Sequence, residues 1–153
     1  LRGGGESSDA WHMSTPHPEG EGAQAAMHAA LAQAGLAASD IGWVNAHGTA
    51  TGANDRSEAA ALAAVFGERG VPVSSTKGIT GHTLAAAGIV EAVITAAAVE
   101  RRTLPPSANL QTPDPALQLD VVREARSSQL RHAMSNSFGF GGSNCALIFS
   151  AGQ

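Results

Sequence analysis

The sequence predicts an α/β layered fold. Three observations carry it. Apolar residues recur at helical spacing in three separate stretches, short apolar runs of strand length alternate with them, and the end of the chain is rich in strand patterns.

The opening, Arg2 to Gly22, is rich in Gly, Ser, His and Pro and reads as loop. From Ala23 a stripe of Ala23, Ala26, Met27, Ala30, Leu31 and Ala34 predicts a helix, and Gly35 stands where glycine commonly ends one. Ile41 to Val44 reads as a short buried strand. His47 follows its carboxyl end, the place where open α/β sheets hold their ligands. A second helix is expected with Asp55 as N-cap and Glu58 three residues later, close to a capping box. Leu62, Val65 and Phe66 give it an apolar face, and Gly67 stops it. Val71 to Ser74 enters another strand, since proline is tolerated at a strand start. A third helix carries Leu84, Ala87, Ile94 and Ala98 on one side, with His82 at its start, and runs to about Arg101. The stretch Leu104 to Asn109, with paired prolines, is extended. Strands are expected at Leu117–Val122, His132–Phe138 and Cys145–Phe149, the last two joined by Gly139 to Asn144.

The chain has 153 residues, 43% of them hydrophobic, enough for one domain or half of a larger one. Its net charge of −4, from 13 acids against 9 bases, offers no basic face to nucleic acid. The longest apolar stretch, Leu84 to Val90, ends at Glu91 and is too short to enter a membrane as a span. Cys145 is the single cysteine, so no intrachain disulfide can form, which fits a reducing, cytoplasmic setting. It lies in an apolar strand without a basic neighbour and reads as an inert, buried thiol. The chain opens without Met or a signal-peptide pattern and reads as a piece of a longer protein.

Two histidines stand in similar frames of small and hydroxylated residues. The first is Asn45-Ala46-His47-Gly48-Thr49-Ala50-Thr51; the second is Ser74-Ser75-Thr76-Lys77-Gly78-Ile79-Thr80-Gly81-His82-Thr83. Imidazole exchanges protons and donates hydrogen bonds near neutral pH, glycine lets a ligand approach, and threonine hydroxyls can orient a polar chain. A neutral His82 at a helix start could donate to a developing oxyanion. Together the frames predict a two-histidine pocket, with no nucleophile nearby. Lys77 is the only lysine, and Glu91 lies among apolar residues that demand a partner, so the two are expected to pair and fix the His82 loop. The turn Phe138-Gly139-Phe140-Gly141-Gly142 lacks the spacing of a phosphate loop; two phenylalanines there suit a gate beside an apolar tunnel. Histidine and cysteine positions give no metal-ligand spacing.

These frames, with Asn136-Ser-Phe-Gly-Phe-Gly-Gly-Ser-Asn144 and the opening Ser7-Ser8-Asp9-Ala10-Trp11-His12-Met13, resemble the carboxyl-terminal half of a β-ketoacyl-acyl carrier protein synthase of the elongating type. The resemblance runs through almost the whole chain, residues 1–153. It implies a thiolase-like fold of two similar halves, usually as a homodimer, and a decarboxylative Claisen condensation of malonyl-acyl carrier protein with an acyl thioester. It implies that His47 and His82 assist decarboxylation and hold the malonyl thioester oxygen, and that Lys77 orders the site with Glu91 as its acidic partner. Thr49 and Thr51 would bind the phosphopantetheine arm, and Phe138 and Phe140 would line and gate the substrate path. No cofactor is implied; acyl carrier protein and the amino-terminal half are the implied partners. The family's nucleophilic cysteine belongs to that other half, and Cys145 does not match it, so this piece alone is expected to be inactive. A non-catalytic chain-length-determining subunit is the alternative, and retention of both histidines and Lys77 argues against it. A thiolase, which would show a Gly-His-Pro frame and a second catalytic cysteine, fits less well.

Overall fold

Successive side chains of a strand point to opposite faces, and in this sheet both faces are apolar, so both must be covered. The computed structural model describes residues 1–152; the last residue of the expected 1–153 domain lies outside them. Its elements are β1 (Gly3–Ser8), α1 (Glu21–Ala34), β2 (Trp43–Asn45), α2 (Gly52–Phe66), β3 (Pro72–Ser74), α3 (Lys77–Thr80), α4 (Ala87–Arg101), β4 (Thr103–Leu104), β5 (Asp120–Val121), β6 (Arg126–Ser127), β7 (His132–Gly139) and β8 (Ser143–Ser150). The main sheet has the order β1-β8-β7-β2-β3-β5. β7, β2, β3 and β5 run parallel, and β8 and β1 complete one edge antiparallel.

Alternation sorts the core. Val44, Met134 and Ile148 meet Met27, Leu31 and Leu62 of α1 and α2 on one face. Trp43 and Ala133, one residue earlier on β2 and β7, pack with Ala98 and Val99 of α4 on the other, together with Leu104, Val122 and Leu130. Each fully buried aliphatic side chain contributes about 1.5–3 kcal/mol of transfer free energy. The buried Trp43 indole donates to Ser74 Oγ at 2.9 Å, and Ser74 in turn donates to the Pro105 carbonyl at 2.6 Å, so the large ring is satisfied at its polar edge.

Several expectations change. Arg2 to Gly22 is not all loop, since β1 lies within it. Its glycines are there for packing: a Cβ on Gly3 would stand 2.7 Å from the Ala30 carbonyl oxygen, and one on Gly5 would press into that of Ala26. Without side chains, α1 lies directly on the strand. The second helix begins at Gly52 after Thr51, so Asp55 is inside the helix and does not cap it. The strand expected at Leu117–Val122 shrinks to β5, preceded by a 3-10 turn at Pro115–Leu117. β4 and β6 form a small antiparallel ribbon that the sequence did not announce. Cys145 is half-buried instead of sealed in the core; burial, with Glu6 beside it, raises its thiol pKa.

The third helix also shifts. Lys77 sits on the short α3, and a 3-10 turn at Leu84–Ala86 separates His82 from the first residue of α4. The ring therefore does not stand on the helix start. Leu84 is exposed and not part of the inner face, which consists of Ala87, Glu91, Ala92, Thr95, Ala98 and Val99. Ile79, Leu84, Ile89 and Val93 leave an exposed apolar surface along α3 and α4. No helix among the described residues is long and apolar enough to cross a membrane.

Candidate active site

β7, β2 and β3 are parallel neighbours, so their carboxyl ends share one rim, and all three motifs leave the sheet there. The His47 ring lies edge-on to that of His82, with centroids 5.4 Å apart and planes at 86°. Phe138, half-buried at the end of β7, packs on the other side of His47 at 5.5 Å between centroids. Thus the two histidines and Phe138 come together.

Lys77 lies beneath His47. Its ammonium forms a buried ion pair with Glu91, donates to the His47 carbonyl at 2.5 Å, and stands 3.3 Å from His47 Nδ1. The expected Lys77–Glu91 pair therefore exists, but the histidine it braces directly is His47 and not His82. Burial pushes the Glu91 pKa up, and the Lys77 contact opposes that rise. Burial, reinforced by the charges of Lys77 and His82, holds the His47 pKa down to about 3. His47 is accordingly neutral at physiological pH, and with Nδ1 facing an ammonium the network assigns its proton to Nε2.

His82 is exposed, and its Nδ1 accepts from the Leu84 amide at 3.3 Å, which again assigns the ring proton to Nε2. Leu84 achieves this in a left-handed conformation, φ 53°, which an L side chain rarely adopts. Two Nε2–H donors on adjoining rings can serve one oxygen that gains negative charge.

The first loop is held from several sides. Gly48 has φ 43°, and a Cβ there would collide with the Ser75 side chain, whose hydroxyl donates to the Gly48 carbonyl at 2.9 Å. Glu58 of α2, almost fully buried, accepts from the amides of His47 and Gly48, each at 2.9 Å. Beside the rings, the Thr49 and Thr51 hydroxyls are 2.9 Å apart, Thr49 half-buried and Thr51 exposed. Phe140 is 84% exposed on the β7–β8 turn, away from the close pair.

The family model described as β-ketoacyl synthase, C-terminal domain, matches residues 1–111. The chain belongs to the β-ketoacyl synthase family. It is 47% identical over 153 residues to 3-oxoacyl-(acyl-carrier-protein) synthase 2 of Coxiella burnetii, an alignment that covers 98% of this chain and 37% of that protein. The chain thus spans about 37% of the length of this curated relative. Its backbone superposes on a ketosynthase solved in complex with its chain length factor from Xenorhabdus doucetiae with a TM-score of 0.93 and 45% identity, covering 99% of this chain and 39% of that one. A type II polyketide ketosynthase solved in complex with its acyl carrier protein gives a TM-score of 0.94 and 32% identity, over 99% of this chain and 38% of that one. The fold is of the thiolase type, and the chain corresponds to the carboxyl-terminal part of such enzymes.

Three buried polar residues of this β-ketoacyl synthase piece escaped the sequence reading. Asn45 donates to the Glu91 carbonyl and to Thr95 Oγ1, tying β2 to α4. Glu58 was read as a capping residue, and Asn136 only as part of a motif. For Glu58 a signal did exist: with Asn54, Ser57, Ala61 and Leu62 it lies on the inner stripe of α2, where an acid needs partners.

Proposed function

We propose that the parent protein condenses malonyl-acyl carrier protein with an acyl thioester, and that this chain supplies the part of the site that removes carbon dioxide. The observation that carries the reading is the pair of adjoining imidazoles whose Nδ1 atoms face Lys77 and the Leu84 amide, which leaves both Nε2–H groups to one oxygen. In the proposed step the bond between the malonyl α-carbon and its carboxylate breaks. Carbon dioxide leaves, the electron pair stays on the substrate, and His47 and His82 hold the resulting enolate oxygen. The enolate carbon then attacks an acyl group carried by a cysteine of the amino-terminal half. The acyl carbon–sulfur bond breaks, that cysteine departs as thiolate, and a 3-oxoacyl chain remains on the carrier protein.

Lys77, with Glu91, keeps the His47 ring neutral and aimed; Thr49 and Thr51 receive the phosphopantetheine arm, while Phe138 lines and Phe140 gates the acyl path. The reading assigns no metal or other cofactor, because the substrates arrive on phosphopantetheine and the two histidines supply the donors. Its partners are acyl carrier protein, the amino-terminal half and a second copy in a homodimer, in the cytoplasm and away from nucleic acid. The exposed apolar surface of Ile79, Leu84, Ile89 and Val93 is where the amino-terminal half would lie. Retention of a complete His47–His82–Lys77–Glu91 geometry favours this reading over a non-catalytic chain-length subunit. The test is to supply the full-length protein with malonyl-acyl carrier protein and an acyl donor and to measure carbon dioxide and 3-oxoacyl product. A protein that holds its nucleophilic cysteine yet forms neither would overturn the reading.

A further inference from the structure

The proposed reaction depends on where the His47 ring stands, and one buried acid outside the expected catalytic group controls the backbone that carries it. We propose that Glu58 is a positioning residue whose carboxylate clamps the amides of His47 and Gly48 and thereby aims the His47 ring.

Glu58 is 2% exposed on the inner stripe of α2. Its Oε1 accepts from the His47 amide and its Oε2 from the Gly48 amide, both at 2.9 Å. Two successive N–H groups converging on one carboxylate make a small anion nest, and they fix the orientation of the peptide that joins the two residues. Asn136 Nδ2 approaches Oε1 at 3.4 Å, so the same carboxylate also touches β7. On the opposite side of His47, Lys77 holds the carbonyl. The residue is therefore gripped at its amide by Glu58, at its carbonyl by Lys77 and at its ring by Lys77. Only the first grip is independent of the Lys77–Glu91 pair. Glu58 makes no contact with the His47 ring, and it acts through the backbone.

The bonding pattern separates this role from packing. Glutamine has almost the same shape, but it presents an amide NH2 where one of the two donors needs an acceptor. Aspartate is shorter but retains two acceptors. This inference rests on the proposed reaction, and its test has a readout that does not.

In the full-length protein, Glu58→Gln is expected to lower kcat for malonyl decarboxylation about 10²-fold, the scale of an ångström of misplacement. The KM for malonyl-acyl carrier protein and acyl loading of the nucleophile should change little, and Glu58→Asp should recover part of the loss. The amide proton signals of His47 and Gly48, followed by selective 15N labelling, should move in Glu58→Gln and return toward the native position in Glu58→Asp. Native kcat and unmoved amide signals in Glu58→Gln would overturn the proposal. If Glu58→Gln fails to fold, Glu58→Asp decides: shifted amides with a reduced kcat support the clamp, and native values of both refute it. If the native protein itself releases no carbon dioxide, the functional reading falls, while the amide signals still decide the clamp.

Discussion

The Lys77 ammonium and the Glu91 carboxylate meet in the interior, fourteen residues apart in sequence, directly below the His47 backbone. Both side chains are almost wholly out of water, so each is tolerable only because of the other. Removing one partner should cost more than removing both. Lys77→Ala, which strands Glu91, is expected to destabilise the fold by on the order of 3–5 kcal/mol. Pairing it with Glu91→Leu should return part of that loss. Denaturant melts of the two single variants and the double variant make the measurement, and simple additivity would remove the pair from the account.

His47→Ala and His82→Ala, each made in the full-length protein, are expected to abolish malonyl decarboxylation and leave acyl transfer to the nucleophilic cysteine intact. Carbon dioxide release and acyl-enzyme formation are measured separately. Native decarboxylation in both variants would dismiss the two-donor pocket.

The low pKa of His47 has a thermodynamic consequence. With the folded value near 3 and the unfolded one at 6.5, only the unfolded chain binds this proton between those limits. Stability from this group is therefore complete above about pH 6.5 and declines as pH falls toward 3, by about 5 kcal/mol in all. Glu58 and Glu91, whose pKa values burial raises, act in the opposite sense: they take up protons earlier in the folded state, which eases their burial as pH falls. The direct check is the His47 ring carbon signal, which should stay flat from pH 8 to pH 5. A midpoint near 6.5 would contradict the buried, neutral ring.

Gly5→Ala is expected to destabilise the fold by about 1–3 kcal/mol or more, since its methyl group would enter the Ala26 carbonyl of α1. Gly152→Ala, which meets open space, serves as the control with no effect on a thermal melt.

Residues 1–153 alone are expected to lack condensing activity and to associate. Ile79, Leu84, Ile89 and Val93 together expose an apolar surface of the kind that soluble monomers usually cover. Binding of a hydrophobic dye and a sedimentation profile above monomer size are the expected results. A monodisperse monomer with a sharp melt and no dye binding would mean the piece is self-sufficient.

Much of the site was legible because its chemistry is carried by short, contiguous frames. His47, His82, Lys77 and Glu91 could each be picked out from local composition, and the strand before His47 from its apolar run. What stayed hidden depends on contacts between distant segments. β1 reads as loop because its glycines serve α1, not the strand's own propensity. Lys77 was expected to brace the nearer histidine in sequence, yet β2 and β3 are adjacent in the sheet, which brings its ammonium to His47. Leu84 looked like part of an inner helical face because apolar spacing does not tell which side a neighbour occupies. Glu58 satisfied a capping pattern and was assigned to the nearest backbone, when its partners lie ten and eleven residues upstream.

The shared rim of β7, β2 and β3 separates the spacing of the two imidazoles from the length of the segments that carry the chain between those strands. Hydrogen bonding in the sheet sets where each strand ends, and Trp43, locked to Ser74, ties the two histidine-bearing strands together below the rim. An insertion in the exposed stretch after Ala50, or between Pro105 and β5, would leave that spacing alone. A one-residue slip of β2 against β3 would turn Trp43 and Val44 to the wrong faces and carry His47 away with them. Variation in substrate length and shape can thus accumulate in the connecting segments while the distance between the two donors is conserved by the sheet.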